Sequence, residues 1–313
     1  MFKKLIFAIY GFGIGLAFPS YGGDRTDGMV GSEISADLAK RIIGGEEADF
    51  KQFPYLVSMY NDYGHKCTGS LLSDRIVLVS GHCLVNKAHF LLPLIRPKDF
   101  RIRFGSDKLN TGDEYYRKIQ SVHVHEKFRD DIYRYDIGII VLEKKIEASE
   151  KERLGIEYAK IFNRFVYDGI KTVTLGWGYQ SQYGHTSENL LVTDIGLSNS
   201  TICKAIEGVY EGNNEFNMCA INTEGKGFCV GDSGGPLVLD GDENYSSEVK
   251  NAVVGISSTV GGFEPDIRCE KIGTFNLFIN TYYYIDWISR ISGIPRESLE
   301  FYKQDYINSP KSE

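Results

Sequence analysis

No histidine follows residue 185, no two cysteines are spaced as CxxC, and no apolar run beyond the N-terminus is long enough to span a bilayer. Positive charge is in deficit as well: 35 lysines and arginines against 42 aspartates and glutamates leave a net charge of -7. Each shortage excludes something. Without a CxxC pair, the six cysteines do not read as a zinc site, and no metal is expected. The acidic balance argues against nucleic acid or an anionic membrane as a partner. It survives removal of the first 41 residues, which carry one more basic than acidic side chain.

What is present begins with export. Lys3 and Lys4 precede an apolar stretch from Leu5 to Phe18, and the small residues Ser20, Gly22 and Gly23 follow, so residues 1–22 read as a secretory signal peptide. In an oxidising compartment an even number of cysteines points to three disulfides, with pairings that sequence arithmetic does not choose among. Residues 23–41 are small and polar, with too little apolar content to fold alone. They end in Lys40-Arg41 before Ile42-Ile43-Gly44-Gly45, a basic site that reads as a point of proteolytic processing.

From Phe53 onward short runs of Val, Ile, Leu and Tyr alternate with Gly, Asn, Asp and Pro. This is the texture of a β sandwich or barrel. Strands are expected at 55–60, 70–73, 76–80, 101–104, 119–124, 137–142, 172–175, 190–196, 236–239, 253–257 and 273–278. The apolar spacing of Tyr284, Ile288 and Ile291 predicts an amphipathic C-terminal helix over 282–291. His123 and His125 are expected on a strand surface, and the polar segment 293–313 is expected to be a flexible tail.

The most informative stretch is Gly231-Asp232-Ser233-Gly234-Gly235-Pro236. Glycines cost entropy and are kept where the backbone turns sharply or comes close to another group; here they would expose a serine hydroxyl beside free N–H groups. Such a serine is a nucleophile only if a base takes its proton, and acyl transfer also needs donors for the oxyanion. Gly231 and Ser233 are the candidate donors. The α/β-hydrolase elbow shares the G-x-S-x-G pattern but requires its histidine after the serine, and here all six precede Ser233. Two orders stay open, His-Asp-Ser and Asp-His-Ser. His82, beside Cys83 at the end of an apolar strand, is suited to a rigidly held base. Asp136 opens the apolar run Ile137-Gly138-Ile139-Ile140, and an acid there needs a strong donor such as an imidazole N–H.

His82, Asp136 and Ser233 in that order resemble the trypsin/chymotrypsin family of serine endopeptidases. The likeness runs from Arg41 to about Ile291. It includes Arg41-Ile42-Ile43-Gly44-Gly45, Phe53-Pro54-Tyr55, Cys67-Thr68-Gly69-Ser70, Gly81-His82-Cys83, Asp136-Ile137-Gly138, Gly176-Trp177-Gly178, Asn217-Met218-Cys219-Ala220 and the serine motif. The resemblance implies an all-β fold of two antiparallel six-stranded β-barrels with a C-terminal α-helix, spanning residues 42–292. It also implies a catalytic triad of His82, Asp136 and Ser233, and an oxyanion hole from Gly231 and Ser233. The disulfides implied are Cys67–Cys83, Cys203–Cys219 and Cys229–Cys269. Activation would follow cleavage after Arg41, with the new Ile42 amine pairing with Asp232. No cofactor is implied; the partners implied are protein or peptide substrates, a trypsin-like activating protease and protein inhibitors.

Departures bear on specificity. Gly81 stands where the family usually has alanine, and Ser258-Thr259-Val260 where it has Ser-Trp-Gly. The pocket residues implied are Gly227, Phe228, Ser258, Val260 and Gly273. With Gly227 in the place of the aspartate that binds Arg or Lys, the expectation is cleavage after small or apolar residues, unless Glu264 or Asp266 reaches in. Asp107, Asp113 and Glu114 read as a solvated acidic loop, with no pattern of calcium ligands. Asn199 and Asn244 head glycosylation sequons. A non-catalytic binding or decoy member of the same fold is the competing class, and the intact triad speaks against it.

Overall fold

A computed structural model describes residues 6–7, 45–86, 93–109, 115–206, 208–241 and 250–302. The first half is a closed barrel of six antiparallel strands: β3 (Leu56–Asn61), β4 (Gly64–Leu71), β5 (Ile76–Val79), β6 (Arg101–Phe104), β7 (Tyr116–Val124) and β8 (Gly138–Leu142), closed in the order β3-β4-β5-β8-β7-β6. Their Val, Ile and Leu side chains fill it; Leu56, Val57, Leu71, Leu78, Ile102 and Ile139 are buried. β-Branched and aliphatic residues suit a pleated surface packed on one side, so the sequence pattern and the strands coincide closely here.

The second half is a sheet in the order β11-β14-β13-β12-β9-β10, made of β9 (Lys171–Gly176), β10 (Leu191–Gly196), β11 (Asn217–Ile221), β12 (Pro236–Asp240), β13 (Lys250–Gly262) and β14 (Phe275–Asn280). Two short edge strands extend it. β2 (Glu46–Glu47) pairs with β10, and β1 (Ile6–Phe7) lies antiparallel against Gly261 and Gly262 of β13. β11 had no strand expectation of its own because its apolar run is short and follows the polar Asn213-Asn214-Glu215.

Four α-helices are found among the described residues, α1 (Ala148–Leu154), α2 (Thr201–Lys204), α3 (Ile285–Ser292) and α4 (Arg296–Leu299). α3 is the expected C-terminal helix and anchors to the barrel. Trp287 Nε1 donates to Glu126 Oε2 at 3.0 Å, and Arg290 Nη2 donates to Glu126 Oε1 at 3.1 Å. His125 departs from expectation: it is sandwiched between Tyr135 and Trp287, with ring centroids 4.8 and 5.2 Å away, and burial lowers its pKa. The tail departs too. Leu299 is buried, Ile161 N donates to Leu299 O and Phe301 N to Ile161 O, so the chain as far as residue 302 packs on the body.

Candidate active site

The site lies on the seam between barrel and sheet, which hydrogen bonds stitch from both sides. Thr68 N donates to Ser233 O at 3.0 Å, and Ser80 Oγ donates to Ser257 O at 2.7 Å. His82 sits in a single helical turn (Gly81–Leu84) after β5, and Asp136 stands two residues before β8. Because β5 and β8 are paired, Val79 opposite Gly138, the two side chains arrive together. His82 Nδ1 is 2.8 Å from Asp136 Oδ2, and the His82 backbone N–H donates to Oδ1 at 2.7 Å. Ser258, from β13, donates to Oδ2 at 2.6 Å. Asp136 is fully buried. Burial pushes its carboxyl up, but the facing His82 and the hydrogen bonds from His82 and Ser258 outweigh that and hold it below the usual carboxylate range.

Ser233 follows Asp232 in the tight turn before β12 and is 5 % exposed. Backbone hydrogen bonds orient the N–H groups on either side of it. Val230 O accepts from Tyr179 N at 2.7 Å, and Asp232 O accepts from Gly235 N at 2.8 Å. A trans peptide points its N–H opposite its carbonyl, so these contacts turn the N–H groups of Gly231 and Ser233 away from Tyr179 and Gly235. Gly231 has φ +97 and Gly234 φ +80, conformations that favour glycine.

Two residues that sequence reasoning missed support the site. His65 is buried; its Nε2 lies 2.8 Å from Gly231 O and its Nδ1 2.7 Å from Ser58 Oγ. A carbonyl only accepts, so Nε2 carries the proton and Nδ1 accepts from the Ser58 hydroxyl. Burial lowers the His65 pKa to about 4, against the hydrogen bond to Gly231. Thr68 Oγ1 adds a second bond to Gly231 O at 3.1 Å. The other residue is Tyr133, packed edge-on against the His82 ring at 5.8 Å. No motif marks either one.

Asp232 is fully buried beneath the turn. Gly178 N donates to its Oδ1 at 2.7 Å and Cys229 N to its Oδ2 at 2.9 Å. Burial pushes its carboxyl up to about 7, and the two backbone bonds offset this only in part. Arg41 and Ile42, the other activation residues, lie outside the described residues.

The three disulfides join Cys67–Cys83, Cys203–Cys219 and Cys229–Cys269. The first two cysteines lie near His82 as a group of ligand atoms, but their sulfurs are bonded to each other and are not available to a metal. Asp107 accepts from Trp177 Nε1 through its carbonyl, while Asp113 and Glu114 fall outside the described residues. Asn199 is exposed ahead of α2, and Asn244 is outside the described residues.

The residues expected to form the pocket part company in the structure. Phe228 is buried against Phe278, centroids 5.2 Å apart, and Val260 is buried in the same cluster. Gly273, however, is exposed in the turn before β14, and Asn276, three residues on, faces Gly227 instead. Ser258 contributes its hydroxyl to Asp136. Neither acid reaches in: Glu264 is exposed, and Asp266 is exposed and paired with Arg268 Nη2 at 3.1 Å.

A serine on a glycine turn, a histidine paired with a buried aspartate, and a barrel-plus-sheet frame are together features of the serine endopeptidase class. Comparison with known proteins agrees. The trypsin family profile matches residues 42–288. Trypsin epsilon of Drosophila erecta is 28% identical over 264 residues, covering 84% of this chain and 92% of its own. Hypodermin-B of Hypoderma lineatum is 30% identical over 212 residues, covering 67% of this chain and 78% of its own. The solved structure of human heparin binding protein superposes with a TM-score of 0.61 at 21% identity, covering 81% of this chain and 98% of that one, a likeness of fold. The chain belongs to the trypsin family and is a serine endopeptidase.

Proposed function

We propose that the protein is exported as a zymogen and, once cut after Arg41, hydrolyses peptide bonds with Ser233 as nucleophile, His82 as base and then acid, and Asp136 as the group that orients the imidazole. Ser233 Oγ attacks the carbonyl carbon while His82 takes its proton. The resulting oxyanion is held by the N–H groups of Gly231 and Ser233, and collapse expels the amine, which takes the proton from His82. Water repeats the cycle on the acyl-enzyme. The observation that carries this reading is the contact of His82 Nδ1 with a buried Asp136 whose second oxygen is held by the His82 backbone.

The residue before the cut is read as uncharged. Gly227 offers no acid, Asp266 and Glu264 stay outside, and Phe228 and Val260 supply apolar walls; a buried guanidinium or ammonium without a counter-charge is costly. The apolar stretch at residues 5–18 supports secretion. No described helix is long and apolar enough to cross a membrane. A fluorophosphonate probe tests the chemistry: the chain cut after Arg41 is labelled at Ser233, and absence of labelling in the cut, folded protein would point to a binding protein on a protease frame.

A further inference from the structure

Asn276 is fully buried, and neither its Oδ1 nor its Nδ2 has a hydrogen-bond partner among the described residues. A buried carboxamide is ordinarily paired, since an unmet donor or acceptor carries the full cost of its lost hydration. Its surroundings offer no relief. On β14 it sits directly across from Val260 of β13, and two residues on is Phe278, whose ring packs against Phe228. Its carboxamide faces Gly227. A Cβ built on Gly227 would stand 2.7 Å from Asn276 Oδ1, 3.0 Å from Nδ2 and 3.2 Å from Cγ. The carboxamide therefore occupies the space that a side chain at position 227 would need.

That space has a functional address. Gly227 and Phe228 lead through Cys229 and its bridge to Cys269 into the turn of Gly231 and Ser233, while Val260 continues the strand that begins at Ser258 beside Asp136. These two segments lead to the nucleophile turn and to Asp136, and the buried carboxamide of a residue from a third one lies against them. Phe228 and Val260 near it are apolar; the carboxamide offers a donor and an acceptor and no charge.

We propose that Asn276 selects the residue before the cut, favouring a neutral side chain that ends in both a donor and an acceptor, glutamine first. A glutamine carboxamide meets the Asn276 carboxamide in a reciprocal pair, its N–H donating to Oδ1 and its carbonyl accepting from Nδ2. Methionine has nearly the same length and leaves both groups unmet. Arginine and lysine find an acceptor without a counter-charge. Discrimination against a substrate that lacks the hydrogen-bonding tip is stronger than discrimination by shape alone, because the site's own polar groups are then left buried and unpaired. The inference rests on the endopeptidase reading and adds its substrate class.

The test uses the full chain, activated by cleavage after Arg41 and freed of the activating protease, on four peptide substrates that differ only in ending with Gln, Met, Leu or Arg. Wild-type kcat/KM for Gln should exceed that for Met by about tenfold or more. Asn276→Leu should reverse this in favour of Met and Leu, and Asn276→Asp, with a carboxylate at the same place, should raise turnover on Arg. Met equal to or better than Gln in the wild type, or a Gln preference kept in Asn276→Leu, would overturn the proposal. Fluorophosphonate labelling separates the levels of failure. A labelled wild type without Gln preference removes this inference alone, and an unlabelled one removes the endopeptidase reading beneath it. If the variants are unlabelled through misfolding, the wild-type Gln to Met ratio still decides.

Discussion

Ser258 Oγ donates to Asp136 Oδ2 at 2.6 Å, the same oxygen that faces His82 Nδ1 at 2.8 Å. The hydroxyl comes from β13 and the carboxylate from the edge of the barrel, so the bond locks the two halves together at the point where the imidazole is oriented. Ser258→Ala removes one of three donors to Asp136 and should lower kcat by roughly tenfold or more, in line with a hydrogen bond to a charged group. Asp136→Asn, which favours the wrong imidazole tautomer, should lower it by about four orders of magnitude. Steady-state kinetics on one peptide substrate orders the two, and Ser258→Ala as damaging as Asp136→Asn would show that Ser258 does more than hold the acid.

Ser233→Ala and His82→Ala should each reduce turnover by about four orders of magnitude or more, and the double variant should be no worse than the more damaged single one, because nucleophile and base act as a unit. Independent, additive losses in a double-mutant cycle would contradict the assigned roles. Secretion levels should stay near wild type.

Cleavage after Arg41 should release the segment before it, since residues 23–41 contain no cysteine to tether it. The freed Ile42 amine should then neutralise Asp232, whose carboxylate lies under the Gly231–Ser233 turn. Arg41→Gln exposed to a trypsin-like protease should stay uncut and weakly active. Full activity in that variant, or a retained propeptide on a non-reducing denaturing gel, would count against this route.

Before cleavage Asp232 should make the chain pH-sensitive. Its folded pKa, about 7, lies above its ordinary value of 3.8, so the folded state holds a proton that the unfolded state gives up. The stability this contributes is fully present below the ordinary value and is lost as pH rises through about 7. His65, lowered to about 4, works in the opposite direction, losing stability as pH falls from 6.5 toward 4. Thermal melts of uncut wild type and Asp232→Asn, compared between pH 4 and 8, isolate the aspartate. The wild type should lose ground to the variant as pH rises, and a difference independent of pH would show that Asp232 does not titrate in this range.

Much of the site was legible in the chain because it is written in contiguous motifs. The glycines around Ser233 serve a turn, Cys83 beside His82 serves a bridge, and Asp136 opens a buried strand; each reports its own local geometry. Gly273 shows the limit. The resemblance places Gly273 at the pocket, but strand register decides which residue faces Gly227, and that register pairs Val260 with Asn276. A shift along a strand also changes the face a side chain takes, so no local pattern identifies such a position. His65 was equally silent, since what makes it structural is the Gly231 carbonyl 166 residues away.

The sequence by itself determined that every histidine precedes Ser233, the alternation that builds the barrel, and the acidic balance, because each depends on order or neighbours along the chain or on composition. Only the tertiary structure decided that His125 is stacked between two rings, that the chain to residue 302 is packed, and that the buried Asn276 carboxamide lies against Gly227. Those outcomes depend on contacts between segments far apart in sequence, where burial and hydrogen-bond pairing are settled jointly by strand register and by the seam between barrel and sheet.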